Sequence, residues 1–228
     1  MIKSLKRNSA LYRLYFSKTE VQQLLLVSCL FSISLSFIRV LYTKELLFLS
    51  LIWNLFLAFV PLAVTTLLVE KSSWKGNNVR FSLAFVIWLF FIPNSFYIIT
   101  DLFHLEQRMN VPLWYDLALI FSFAWNGLLL GILSVRQMEK IVQSKWSLPE
   151  HVFVYPVMFL NAFGIYLGRY LRYNSWDVVS NPLDLADDVV NLFFHPLRNR
   201  FEWSMIFCFS IFMTLFYLTV KRLSRELD

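Results

Sequence analysis

The chain has 228 residues, of which 58% are hydrophobic, 18% aromatic and only 16% charged, and it carries a net charge of +6. Such a mix lies far outside that of a soluble globular domain, and the basic residues are scattered between apolar runs rather than set in a stripe with interleaved aromatics, which excludes a nucleic-acid partner. The chain reads as an integral membrane protein, and its surplus of Lys and Arg reads as topology information.

A bilayer core asks for about 20 mostly apolar residues per helix. Six windows meet that demand, roughly 21–38, 46–69, 79–99, 113–135, 152–171 and 201–220. The expected fold is therefore all-α, a polytopic bundle of about six spanning helices forming one membrane domain over residues 1–228. The first window follows five basic residues, but its apolar run is long and no small-residue cleavage site precedes Arg39, so it reads as a retained anchor and not a signal peptide. Cys29 and Cys208 each lie inside an apolar run, which points to packing and offers no disulfide framework or Cys-pair metal motif.

Polar groups at membrane depth concentrate where the third window leaves the lipid. From Trp88 to Asp116 the chain reads W-L-F-F-I-P-N-S-F-Y-I-I-T-D-L-F-H-L-E-Q-R-M-N-V-P-L-W-Y-D. It exits through Pro93, Asn94, Tyr97, Thr100 and Asp101, turns near Pro112 and re-enters at Asp116. The fourth window holds Gly127 and Gly131, the fifth Gly164 and Gly168. Each G-x-x-x-G pair permits close helix approach, within one chain or between two copies. The two pairs cannot simply face each other, because the windows run in opposite directions.

At 100° per residue, Asn94, Tyr97 and Asp101 share one stripe, as do Asp116 and Gly127, and Asn161, Gly164, Gly168 and Arg172. Arg169 lies one turn below Arg172, at about the depth of Asp116. A charge at that depth needs a partner and marks a functional site by default. The spacing predicts Asp101, Asp116, Arg169 and Arg172 in one cluster, either as plain counter-ions or as an anion site. Asp101, His104 and Asp116 are its candidate acids or bases. Asn174, Trp176 and Asp177 follow just beyond. His104 would suit a metal on a continuing helix, but a lone His at a loop mouth is ordinarily solvated, so no metal is expected, and the cofactor, if any, stays unknown.

Between the last two windows, Asn181 can cap a short helix to Phe194, with Pro182 at its first position and Asp184 in its first turn. Leu183, Ala186, Val190 and Phe193 line one side; Asp184, Asp187, Asp188 and Asn191 line the other. It reads as an interfacial helix covering the mouth formed by the third, fourth and fifth windows.

Assigning every Lys and Arg to a terminus or loop, with Arg80 and Arg169 at window ends, gives 14 for the N-terminus, second loop, fourth loop and C-terminus, against 7 for the other three loops. The positive-inside rule then places both termini in the cytoplasm of a multi-pass plasma (cytoplasmic) membrane protein, and the Asp101 hairpin and the short helix outside.

Three blocks carry a resemblance: P-N-x-x-Y-x-x-T-D-L-x-H-L; then W-Y-D with F-S-F-A-W-N-G-L-L-L-G; then F-G-I-Y-L-G-R-Y-L-R-Y-N-S-W-D. In combination they resemble the bacterial membrane proteins grouped as domain of unknown function 1361. The resemblance implies a polytopic membrane protein without assigned activity. It maps recurrent polar positions onto Asn94, Tyr97, Thr100, Asp101, His104, Asp116, Arg169, Arg172, Asn174, Trp176 and Asp177.

No G-x-S-x-G, H-E-x-x-H, Walker or dinucleotide-binding signature occurs. The leading reading is a non-catalytic or accessory membrane component. Two alternatives stand beside it: an enzyme on an anionic lipid-linked or phosphate-bearing substrate, with Arg169 and Arg172 as clamp, and a small transporter using the carboxylates. The partners implied are the lipid bilayer and, as alternatives, a second copy or another membrane protein.

Overall fold

The computed structural model describes residues 20–106 and 111–226, apart from the side chains of Ser72, His104 and Arg225. Arg108 and the five basic residues before Glu20, which enter the topology count, lie outside the described residues. The elements among the described residues are α1 (Glu20–Thr43), α2 (Leu49–Glu70), α3 (Ser72–Gly76), α4 (Asn78–Tyr97) running into a 3-10 segment (Ile98–His104), α5 (Leu113–Trp146), α6 (Glu150–Arg169), α7 (Asp177–Ser180), α8 (Pro182–Phe194) and α9 (Arg200–Glu226). Among the described residues, six helices are long and apolar enough to cross a membrane: α1, α2, α4 with its 3-10 extension to Phe103, α5, α6 and α9.

The α5 helix departs most from the sequence window. It has 34 residues and continues eleven past Val135 to Trp146. Arg136, Glu139, Lys140, Gln143 and Lys145 end the apolar run, yet most find partners that hold the helix together. Arg136 donates to Ser224 Oγ at 2.6 Å, Gln143 to Glu139 Oε1 at 3.0 Å, and Lys145 to Asn78 Oδ1 at 2.8 Å. A helix of this length spans about 51 Å, well beyond a hydrocarbon core of about 30 Å. The surface helix forms where expected, with Pro182 at its start. Asn181 does not cap its backbone; the Asn181 amide donates to Asp184 Oδ2 at 2.8 Å instead.

In lipid, apolar side chains alone give helices no reason to associate, so small residues and interhelical hydrogen bonds decide which faces meet. Both glycine pairs close on the same helix from different sides. A Cβ on Gly127 would sit 2.7 Å from the Ser95 carbonyl oxygen, and one on Gly131 2.8 Å from the Phe96 ring. A Cβ on Gly164 would sit 2.6 Å from Pro93 Cγ, and one on Gly168 3.2 Å from the Tyr97 ring. The stretch from Pro93 to Ile98, where α4 passes into the 3-10 segment, is thus gripped by α5 on one side and α6 on the other. The two pairs avoid each other, as the opposed directions required, because a third helix lies between them.

Hydrogen bonds set the remaining contacts. Trp88 Nε1 donates to Ser134 Oγ at 2.8 Å, and Ser95 Oγ to the Ala58 carbonyl at 2.9 Å. Thr65 Oγ1 and Gln137 Oε1 are 2.7 Å apart. Asn126 Nδ2 donates to Ser32 Oγ at 2.8 Å, and the Tyr115 hydroxyl to the Leu35 carbonyl at 2.9 Å. These bonds place α2 against α4 and α5, and α1 against α5, while α9 lies on α6 at the far flank.

Gly127→Ala and Gly164→Ala are each expected to destabilise the protein by roughly 1–3 kcal/mol, the usual range for overpacking. The Cβ meets a backbone carbonyl in one case and a fixed ring in the other. Gly76→Ala, where a Cβ meets nothing within 4 Å, serves as the control. Thermal unfolding in mild detergent measures all three, and equal midpoints would contradict the packing described.

Candidate functional site

The end of the bundle that carries Asp101 also carries a cavity of about 720 Å³. Its floor is α4, through Leu89, Phe90, Pro93, Asn94 and Tyr97. Its walls are α2, through Trp53, Asn54 and Leu57, and α6, from Leu160 to Arg169. The loop from Arg172 to Ser175 and the inner face of α8, through Leu185 and Val189, close it above. Helix α5 contributes no lining residue. The cover that α8 provides therefore lies over α2, α4 and α6, and not over the third, fourth and fifth spans as the sequence suggested.

At one edge of the cavity sits a partly buried ion pair. Arg169 Nη2 donates to Asp101 Oδ1 at 2.5 Å and Arg169 Nε to Thr100 Oγ1 at 2.8 Å, and the guanidinium lies 4.3 Å from the Tyr97 ring centroid. Asn54 Nδ2 donates to the second carboxylate oxygen of Asp101 at 3.2 Å. The 3-10 segment makes this possible: its tighter winding carries Thr100 and Asp101 together toward α6.

Asp116 is elsewhere. It does not meet Arg169 or Arg172; Arg39 takes it, with Nε to Oδ1 at 2.8 Å and Nη2 to Oδ2 at 3.2 Å. Arg39 is 1% exposed and Asp116 2%. The expected four-residue cluster is thus two separate pairs, Arg169 with Asp101 and Arg39 with Asp116. Arg39 directly follows the first apolar window, where a loop charge is expected; α1 instead continues past it to Thr43 and turns it inward. A sign was present in the sequence: Ser32, Ser36 and Arg39 fall on one helical face, and all three are buried.

Of the supporting residues, Asn94 lines the cavity and its amide donates to Ser175 Oγ at 3.0 Å, tying the overhanging loop to α4. Asn174 lines it too. Asp177 turns away from the cavity, accepting from the Asn174 backbone N–H at 2.6 Å and from Ser180 Oγ at 2.9 Å. The Asn174 N–H beside it holds its carboxyl below the ordinary range. Trp176 is half-exposed and lines nothing. The His104 side chain lies outside the described residues. Arg172 lines the cavity mouth and makes no ion pair or hydrogen bond with any described residue. Sequence reasoning missed Trp53 and Asn54, which stand in an apolar run without any marked spacing.

A second charged cluster, absent from the sequence reading, lies at the opposite end. Glu139, 1% exposed, accepts from Lys221 Nζ at 2.6 Å, from Gln143 and from the Tyr217 hydroxyl. Lys221 also reaches Glu150 at 2.6 Å.

Comparison with known proteins gives one match. The family described as protein of unknown function (DUF1361) matches residues 53–219, well over half of the chain. The chain belongs to the DUF1361 family. The matched segment of this DUF1361 protein begins at Trp53 on the cavity wall and takes in Asp101, Asp116, Arg169 and Arg172, whereas Arg39 and Lys221 fall outside it. No curated protein and no solved structure matches the chain significantly.

Proposed function

We propose that the protein is a non-catalytic membrane component that holds a membrane-resident ligand in the cavity between α2, α4 and α6. The observation that carries this reading is the state of its two candidate carboxylates. Asp101 accepts from Arg169 and Asn54, Asp116 accepts from Nε and Nη2 of Arg39, and neither lines the cavity. A general acid or base has to reach the reacting group, and these groups are turned to holding helices together. The cavity is accessible from the bilayer along its side, since the lining residues Trp53 and Phe90 are 53% and 46% exposed on membrane-spanning helices. Its volume falls within the roughly 300–1,000 Å³ of small-molecule sites.

The Asp101 end faces the extracytoplasmic side in this reading. With Arg39, Arg169 and Lys221 assigned to buried pairs, the basic count becomes 13 against 5, which sharpens the bias toward cytoplasmic termini.

A photoreactive amino acid at Phe163, inside the cavity, and another at Phe212, on the exposed face of α9, test the ligand. After irradiation in native membranes, mass spectrometry should find a narrow set of lipid adducts at position 163 and the bulk lipid mixture at position 212. Identical adduct profiles at both positions, or none at 163, would overturn the reading.

A further inference from the structure

Resting on that reading of the cavity, we infer that its ligand is a lipid with an anionic phosphate head, bound by Arg172 at the mouth with its chain running down one leaflet. Arg172 stands where the chain reverses after α6, with the Tyr173 N–H reaching back to the Leu167 carbonyl at 3.1 Å. Its backbone is left-handed, φ 61°. Glycine is the ordinary residue at such a position, and a side chain there is strained.

No described acid near this loop forms an ion pair with the guanidinium. Asp177 is taken by Asn174 and Ser180, Asp184 by Asn181, and Asp188 by the Tyr173 hydroxyl at 2.8 Å. That last bond pushes the Tyr173 phenol up to about 12, so it stays a neutral donor to Asp188. Arg172 thus forms no ion pair or hydrogen bond with a described residue, and it stands at the open end of an apolar cavity. A planar guanidinium matches a phosphate with two parallel hydrogen bonds.

Depth favours a lipid over a soluble anion. Leu160, at the bottom of the cavity, precedes Arg169 by nine helical residues, which is about 13 Å along the axis and close to half of a hydrocarbon core. Between them the lining is Phe163, Gly164, Leu167 and Gly168, with Leu89 and Phe90 opposite. The polar groups gather at the mouth, in Asn94, Asn174 and Ser175.

The test uses the full chain in mild detergent and measures binding by native mass spectrometry. The probes are phosphatidylglycerol and phosphatidylcholine with identical chains, and glycerol phosphate, which has the head without the tail. Variants are Arg172→Gly, Arg172→Lys, Leu160→Trp and, as a control for surface charge, Arg198→Gln. Arg172→Gly relieves the left-handed backbone while removing the guanidinium, so its unliganded melting temperature should equal or exceed that of the parent.

The parent is expected to bind phosphatidylglycerol at least tenfold more tightly than phosphatidylcholine. Arg172→Gly should lose that preference, Arg172→Lys should keep part of it, Leu160→Trp should weaken both lipids, and Arg198→Gln should change nothing. Equal binding of the two lipids by the parent would overturn the head-group assignment and leave the cavity reading standing. Binding of neither would overturn both. Glycerol phosphate binding as well as the lipid would overturn the tail. An Arg198→Gln loss equal to that of Arg172→Gly, or a lower melting temperature for Arg172→Gly with its selectivity intact, would show that Arg172 is not the ligand.

Discussion

Arg39→Leu is expected to lower the folding stability by roughly 3–5 kcal/mol, the range for removing one partner of a buried pair. The substitution removes the Arg39 partner from the Asp116 carboxylate, whose residue is 2% exposed, while the Tyr115 hydroxyl stays on the Leu35 carbonyl. Asp116→Leu should cost a similar amount, because Arg39 already has one terminal nitrogen, Nη1, buried without a hydrogen-bond partner and would lose its two remaining bonds. The double substitution Arg39→Leu with Asp116→Leu should recover most of the loss, since leucines of similar bulk need no counter-ion. Denaturant unfolding in detergent micelles measures all four proteins. A double variant no more stable than the singles would mean that packing around Phe48, and not the pairing of charge, sets the energy of this site.

Lys221→Met is expected to have a comparable effect at the other end of the bundle. Lys221 neutralises Glu139, whose side chain is 2% exposed, and Glu150, whose side chain is 34% exposed. These two contacts differ in worth. A solvent-reachable pair contributes about 0–1 kcal/mol, whereas stranding a buried carboxylate costs roughly 3–5 kcal/mol. Glu150→Gln should therefore be nearly silent and Lys221→Met severe. Tyr217→Phe, which removes a neutral donor from Glu139 and leaves the lysine in place, should fall between them at about 1–3 kcal/mol. Lys221→Met as mild as Glu150→Gln would contradict the assignment of Glu139 as a buried anion.

The spanning helices were legible because lipid demands long apolar runs, and each of the six windows overlaps a helix. Their ends were less so, since Arg136 to Lys145 look like a loop until partners on α4 and α9 are known. Within the site, Asp101 and Arg169 were legible from shared face and depth. Asp116 was not, because sequence offers three arginines at similar depth and rotation about each helix axis chooses among them. The two glycine pairs announced close packing, but their common partner at Pro93 to Ile98 emerged only from the arrangement of three helices. Most of the cavity was invisible, since its walls are ordinary leucines and phenylalanines whose curvature leaves a space.

The pairing of Arg39 with Asp116 also has a consequence in time. The arginine precedes its counter-ion by 77 residues, so at a synthesis rate of about 5–20 residues per second it waits ~4–15 s for a partner. Arg39 lies four residues from the end of α1, close enough for its long side chain to reach the head groups in the interval. A first helix inserted ahead of its partner is therefore expected to hold this residue at the surface and to settle into its final register once α5 supplies the carboxylate.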